Sequence, residues 1–230
     1  MENLAENLKR VRERIAAGAE RSGRDPASVT LIAVTKGVDA ETICKAIDAG
    51  VTDIGENRVQ EARDKFPSLP AGVRKHMIGH LQSNKVRHCL ELFDMIHSVD
   101  RLSLVEELSR RAAARGLVVP VLVQVNVAGE ATKHGVEPEA LLPFVKRAAG
   151  LPGVQIRGLM TMAPYSADPE DARPVFRGLA RLAREVAEAD VPGVKMEWLS
   201  MGMSNDFEVA VEEGANMVRI GTALFGSRRP

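Results

Sequence analysis

Short runs of β-branched and aliphatic residues alternate along the chain with longer stretches in which apolar side chains recur every three or four positions. The first pattern reads as a strand buried on both faces, the second as an amphipathic helix. Strand-like runs fall at 29–34, 52–55, 75–78, 95–99, 119–126, 154–160, 195–200 and 216–220. Leu4, Leu8, Val11, Ile15 and Ala19 predict an opening helix that Ser22-Gly23 stops. Apolar stripes also run through Leu102, Val105, Leu108 and Ala112, and through Val175, Leu179, Leu182 and Val186. Gly50, Gly116 and Gly214 stand where helices are expected to end.

Eight strands alternating with helices predict an α/β protein, a (β/α)8 TIM barrel with an additional N-terminal helix. A doubly wound open sheet would show the same alternation. The strand count matches closure and no Gly-x-Gly-x-x-Gly follows the first strand, so the barrel is preferred. No Pro/Gly/Ser-rich linker and no internal repeat divides residues 1–230, which read as one domain.

Composition narrows the function. Thirty-one basic residues balance thirty-one acidic ones, so no net field draws nucleic acid or an anionic membrane. The pairs Arg110-Arg111 and Arg228-Arg229 read as solvated surface. No run of about eighteen apolar residues offers a membrane span, and Met1-Glu2-Asn3 leads into a charged helix, not a signal sequence. Two cysteines, Cys44 and Cys89, are too few for a disulfide framework and fit a reducing compartment. A cytoplasmic protein is expected.

The candidate chemistry lies at the strand ends, where barrels carry their active sites. Lys36 closes the first run. An amine held in low dielectric loses its preference for the charged form and becomes a nucleophile able to form Schiff bases. The second run ends at Glu56-Asn57, and the third leads into Gly79-His80-Leu81-Gln82-Ser83-Asn84-Lys85. The seventh opens into Ser200-Met201-Gly202-Met203-Ser204 and the eighth into Arg219-Ile220-Gly221-Thr222. Barrels often bind phosphate with these last two loops. Ser204 also precedes the helical pattern Phe207, Ala210 and Val211, whose amides would attract an anion. Arg219 reads either as a phosphate clamp or as the partner of a pyridine nitrogen, and with Lys36 and a phosphate cup it fits pyridoxal 5′-phosphate.

The segments Ala33-Val34-Thr35-Lys36, Gly55-Glu56-Asn57-Arg58-Val59-Gln60-Glu61, His76-Met77-Ile78-Gly79-His80-Leu81-Gln82, Leu199-Ser200-Met201-Gly202-Met203-Ser204 and Val218-Arg219-Ile220-Gly221 resemble the pyridoxal phosphate homeostasis proteins. These are single-domain relatives of the alanine racemase barrel, and the resemblance covers nearly the whole chain. It implies pyridoxal 5′-phosphate held as a Schiff base on Lys36. Asn57 would pack near the ring and Arg219 would meet the pyridine nitrogen. Ser200, Gly221 and Thr222 would hold the phosphate, with Met201 also in contact. The chain departs from the family pattern at Thr35, where serine is usual, at Gly37-Val38-Asp39, where a proline is common, and at Ala128.

The function this implies is to hold the cofactor and deliver it within the cell, with apo pyridoxal phosphate-dependent enzymes as recipients and little or no turnover. The alternative is an amino-acid racemase of low activity. A racemase needs an acid–base group on each face of the substrate. The opposing tyrosine of alanine racemases comes from a second domain, which this sequence lacks; without that domain's dimer contact, a monomer is expected. Tyr165 reads as a rim tyrosine. A phosphosugar isomerase would need a carboxylate near strand six, where Thr161 stands, and a cofactor-free aldolase would need no pyridine partner. His76, His80, His88 and Cys89 could be read as metal ligands, but solvent-facing or packing roles are preferred and no metal is expected.

Overall fold

The computed structural model describes residues 4–130 and 134–226. The Arg228-Arg229 pair and Met1–Asn3 lie outside the described residues. The eight strand-like runs form eight parallel strands: β1 (Thr30–Val34), β2 (Asp53–Glu56), β3 (Arg74–Met77), β4 (Met95–Val99), β5 (Val119–Gln124), β6 (Val154–Met160), β7 (Trp198–Ser200) and β8 (Met217–Ile220). They close in sequence order, and β1 pairs with both β2 and β8, with Thr30 opposite Met217 and Ile32 opposite both Asp53 and Arg219. The open-sheet alternative is thereby excluded.

Around the barrel stand α1 (Leu4–Arg21), α2 (Ala40–Asp48), α3 (Val59–Lys65), α4 (Val86–Leu92), α5 (Leu102–Ala113), α6 (Leu141–Ala149), α7 (Arg173–Glu188), α8 (Phe207–Glu212) and α9 (Thr222–Phe225). The anticipated stripes face inward: Leu8, Val11, Ile15 and Ala19 of α1 are buried, as are Leu179, Leu182 and Val186 of α7. Burying each such aliphatic side chain contributes roughly 1.5–3 kcal/mol. The added helix α1 packs on α8 and α9, where Asn7 Nδ2 donates to Leu224 O at 3.0 Å and Arg14 pairs with Glu208 at 2.6 Å. Among the described residues no helix is long and apolar enough to cross a membrane.

Strand seven is shorter than its hydrophobic run. Before Trp198 the backbone bonds to β6 through Lys195 N to Ile156 O and Glu197 N to Arg157 O, and the Arg157 side chain pairs with Glu197. Opposite it, Gly158 adopts φ +154°, and a Cβ there would lie 1.9 Å from Trp198 O, so the close approach of β6 to β7 requires glycine.

Alternation along each strand sends every second side chain into the barrel. Ile32, Leu122, Met160 and Met217 form an apolar plug there, with Met95 and Trp198 against it. The larger core lies between barrel and helices. The interior is not wholly apolar, and its polar part bears on the site.

Candidate functional site

At the C-terminal mouth of the barrel lies a cavity of about 610 Å³. Lys36, Asn57, Arg219, Gly221 and Thr222 line it, so five of the seven anticipated cofactor contacts share one space. Val34, Ile78, Met162 and Met203 supply apolar walls, and Tyr165 stands at the edge, 85% exposed.

Lys36 is half-buried in a turn whose flanks are tied to α3 and β2. The Thr35 hydroxyl lies 3.1 Å from Gly55 O and 3.0 Å from Glu56 Oε2. The Gly37 amide donates to Glu61 at 3.1 Å. Lys65 joins the two carboxylates, contacting Glu56 at 3.2 Å, Glu61 at 3.0 Å and Thr35 O at 3.0 Å. Threonine thus supplies the hydroxyl that a serine would, and Gly37 turns the chain at φ +68° in place of a proline-shaped loop. Lys65 is fully engaged, whereas the Lys36 amine has no hydrogen bond or ion pair among the described residues. Of the two lysines, Lys36 is the one available to react.

In the loops that follow β7 and β8, next to β1 in the closed barrel, the Ser204 hydroxyl accepts from the amides of Gly221 and Ala223, both at 3.2 Å. Two backbone donors converging on one oxygen mark where an anion's oxygen would be received. Gly202 precedes this loop at φ +92°, and a Cβ there would lie 2.6 Å from Ala210 Cβ. Asp206 also lines the cavity and accepts from the Met203 amide at 2.6 Å. Burial raises the pKa of its carboxyl, opposed by that amide and by the charge of Arg219.

Ser200 and Met201, also anticipated as cofactor contacts, are not among the residues that line this cavity. Ser200 is wholly buried inside the barrel with its hydroxyl committed to Arg219 and His97. Met201 is buried with its amide bonded to Met217 O at 3.1 Å. Ser200 is the last residue of β7 and Met201 is still bonded to β8, and of this loop Met203 is the first residue to line the cavity.

Arg219 is the last link of a polar chain that the sequence did not reveal. Its Nη1 donates to Ser200 Oγ at 2.6 Å and its Nη2 to Thr161 O at 2.9 Å. Ser200 Oγ lies 2.9 Å from His97 Nδ1, His97 Nε2 lies 3.0 Å from His76 Nδ1, and His76 Nε2 lies 3.0 Å from Asp53 Oδ1. Arg74, 59% exposed, pairs with Asp53 at 2.8 Å and ends the chain in solvent. With one proton on each ring, the directions follow from the acceptor-only carboxylate. His76 and His97 each carry hydrogen on Nε2, and every bond donates from Arg219 toward Asp53. The chain therefore fixes the plane of the guanidinium at the cavity floor. Burial lowers the pKa of Arg219 to about 10, partly countered by Asp206, so it stays charged at neutral pH.

The same chain makes stability depend on pH. Burial foremost, then the charges of His76 and Arg219, push His97 well below its ordinary pKa of 6.5. Below that value the unfolded chain takes up a proton that the folded one refuses, so stability falls as pH drops. The expected slope is about 1.4 kcal/mol per pH unit below pH 6.5. Asp53 acts in the same sense but lower. Burial raises its pKa, and the bonds from His76, Thr52 and Arg74 outweigh that, so its contribution is lost only as pH falls below about 3.8. Urea unfolding of the wild type from pH 7.5 to 5 should show the His97 slope, and a flat profile would refute it.

These residues fit pyridoxal 5′-phosphate. Asn57 keeps Oδ1 buried and without a hydrogen-bond partner, an acceptor that the folded chain leaves unsatisfied at the cavity wall. A free amine, a buried guanidinium, convergent amides and apolar walls match an aldehyde, a pyridine nitrogen, a phosphate and a planar ring in turn.

Comparison with known proteins agrees. The alanine racemase N-terminal domain family matches residues 1–229. The pyridoxal phosphate homeostasis protein of Aquifex aeolicus is 46% identical over 228 residues, 99% of each chain. That of Pseudomonas aeruginosa is 42% identical over 229 residues, 99% of this chain and 97% of the relative. The structure of PipY from Synechococcus elongatus with pyridoxal phosphate bound superposes with a TM-score of 0.84 at 38% identity, covering 97% of this chain and all of that one. With its barrel closed, its cavity so lined and its relatives aligned end to end, the chain belongs to the alanine racemase N-terminal domain family and, within it, to the pyridoxal phosphate homeostasis proteins.

Proposed function

We propose that this protein binds pyridoxal 5′-phosphate covalently and reversibly on Lys36 and keeps it available to other proteins in the cell, with little turnover of its own. The observation that carries the reading is the cavity itself, which brings a free amine, a buried guanidinium and a pair of convergent amides into one space. When bound, the cofactor supplies an aldehyde for amines and a conjugated ring able to withdraw electrons. Gly221, Ala223 and Ser204 would receive the phosphate, Val34 and Ile78 would contact the ring, and Arg219 would meet the pyridine nitrogen. In this reading the protein is a cytoplasmic monomer whose recipients are apo forms of pyridoxal phosphate-dependent enzymes.

Low turnover follows from two side chains. Arg219, with a pKa of about 10, keeps its proton at neutral pH and does not pass it to the ring nitrogen, which leaves the ring a weak electron sink. Tyr165 is 85% exposed, too far into solvent to be a positioned acid or base. Relatives named for homeostasis support the same view. The test is direct: the purified protein should absorb as a cofactor–amine adduct, and borohydride should fix the cofactor's mass on Lys36. A protein that stays colourless after incubation with pyridoxal phosphate would refute the proposal. Racemisation of alanine should stay within about tenfold of free pyridoxal phosphate and be unchanged in Tyr165→Phe; a fast rate abolished by that change would establish the racemase instead.

A further inference from the structure

Beside the cavity, three side chains of metal-binding type meet at the same rim. His80 follows β3, Asp100 follows β4 and His134 lies in the loop after β5. His80 Nδ1 lies 3.4 Å and His134 Nδ1 3.8 Å from the same oxygen, Asp100 Oδ2. One ligand atom from each residue lies within 4.8 Å of the other two. The remaining histidines are placed otherwise: His76 and His97 are locked inside the barrel, and His88 stands on α4.

Each member of the trio is held from behind. Arg101 Nη1 grips the other Asp100 oxygen at 2.7 Å while its Nη2 donates to Leu81 O at 2.8 Å, which orients the carboxylate and leaves Oδ2 to the imidazoles. The Ser98 hydroxyl donates to Gly79 O at 2.6 Å and so fixes the residue before His80. Gln124 Nε2 donates to His134 O at 3.0 Å. Such outer bonds are what orient ligands in metal sites.

The two rings stack, with centroids 3.8 Å apart and planes 17° from parallel. A metal lies in the plane of each imidazole it binds, so one ring must turn before both can coordinate. His134 has the freedom to do so, its side chain being 60% exposed against 34% for His80. The present separations then need little contraction, because bonds of about 2.0–2.2 Å in a tetrahedral site put ligand atoms roughly 3.4 Å apart.

We propose that His80, Asp100 and His134 bind a divalent transition metal of the zinc class, with water completing the coordination. Two imidazoles and one carboxylate suit such an ion, whereas calcium and magnesium require oxygen donors throughout. Bound there, the metal ties together the loops that follow β3, β4 and β5.

Co2+ titration of the cofactor-loaded full chain, read by the visible absorption of the ion and by Zn2+ competition, tests the site. One equivalent should bind, Zn2+ should displace it, and affinity should fall at least tenfold in both His134→Ala and Asp100→Asn. His88→Ala should bind as the wild type does. The absorption of the bound cofactor should be unchanged in His134→Ala, which separates this site from metal captured by the cofactor, and circular dichroism should show that variant folded. Absence of stoichiometric binding by the wild type, or undiminished binding by folded His134→Ala, would overturn the proposal.

Discussion

Lys36→Ala should give a folded, colourless protein that no longer retains pyridoxal phosphate through gel filtration and takes up no cofactor mass after borohydride. The substitution removes the one free amine of the cavity and leaves its walls intact, because the turn is held by Thr35, Gly37, Glu56, Glu61 and Lys65, not by the Lys36 side chain. Arg219, the Gly221 and Ala223 amides and the apolar walls persist, so weak non-covalent binding remains. We expect an affinity lower by at least about 100-fold, roughly 2.7 kcal/mol, measured by equilibrium dialysis. Thermal stability without cofactor should change by no more than about 0.5 kcal/mol, as for other substitutions that break no contact. Retention of colour in the variant, with the cofactor's mass moved to Lys65, would assign the attachment wrongly here.

Substituting His97 with leucine should cost about 2–5 kcal/mol of folding free energy. Leucine fills a similar volume but can neither accept from Ser200 nor donate to His76, and both partners are buried. Each buried polar group left unpaired costs about 1–3 kcal/mol, and the remaining links lose the mutual polarisation of an unbroken chain. The loss extends to the site. Ser200 would then be free to rotate, so the Nη1 of Arg219 would face an unfixed acceptor. Urea denaturation at pH 7.5 measures the first effect and cofactor dialysis the second. The pH slope below 6.5 should fall by about one proton in the same variant, since His97 refuses the proton in the folded chain and His80, also held low by burial, accounts for what remains. A variant within 0.5 kcal/mol of the wild type would mean that the chain is not cooperative.

Much of the molecule could be read directly. Most of the parallel strands leave apolar runs, the regular alternation with helices located the more polar β2 and β3, and Gly50, Gly116 and Gly214 adopt the positive φ expected where helices end. Lys36, Asn57, Arg219, Gly221 and Thr222 stood out because each follows or ends a strand, and barrel geometry brings strand ends to one rim. Ser204 could be flagged for its place before α8, but its bonds to the Gly221 and Ala223 amides needed the two loops side by side. Asp206 carried no such flag.

Ser200 shows where sequence reading reaches its limit. Position alone put it with the phosphate loop; the pleat of β7 turns its hydroxyl inward to Arg219 and His97. The polar chain joins residues as far apart as His97 and Ser200, 103 positions in sequence, and no local pattern encodes such a pairing. The sequence by itself determined the number and kind of elements, the barrel class and the amine at the end of β1, because hydrophobic periodicity and strand ends are local properties. Only the closed tertiary structure decided that Asp53, His76, His97 and Ser200 stand behind Arg219, and that His80, Asp100 and His134 share one rim. Both depend on which faces of several strands point together, and that is set by closure and register, not by the local order of residues.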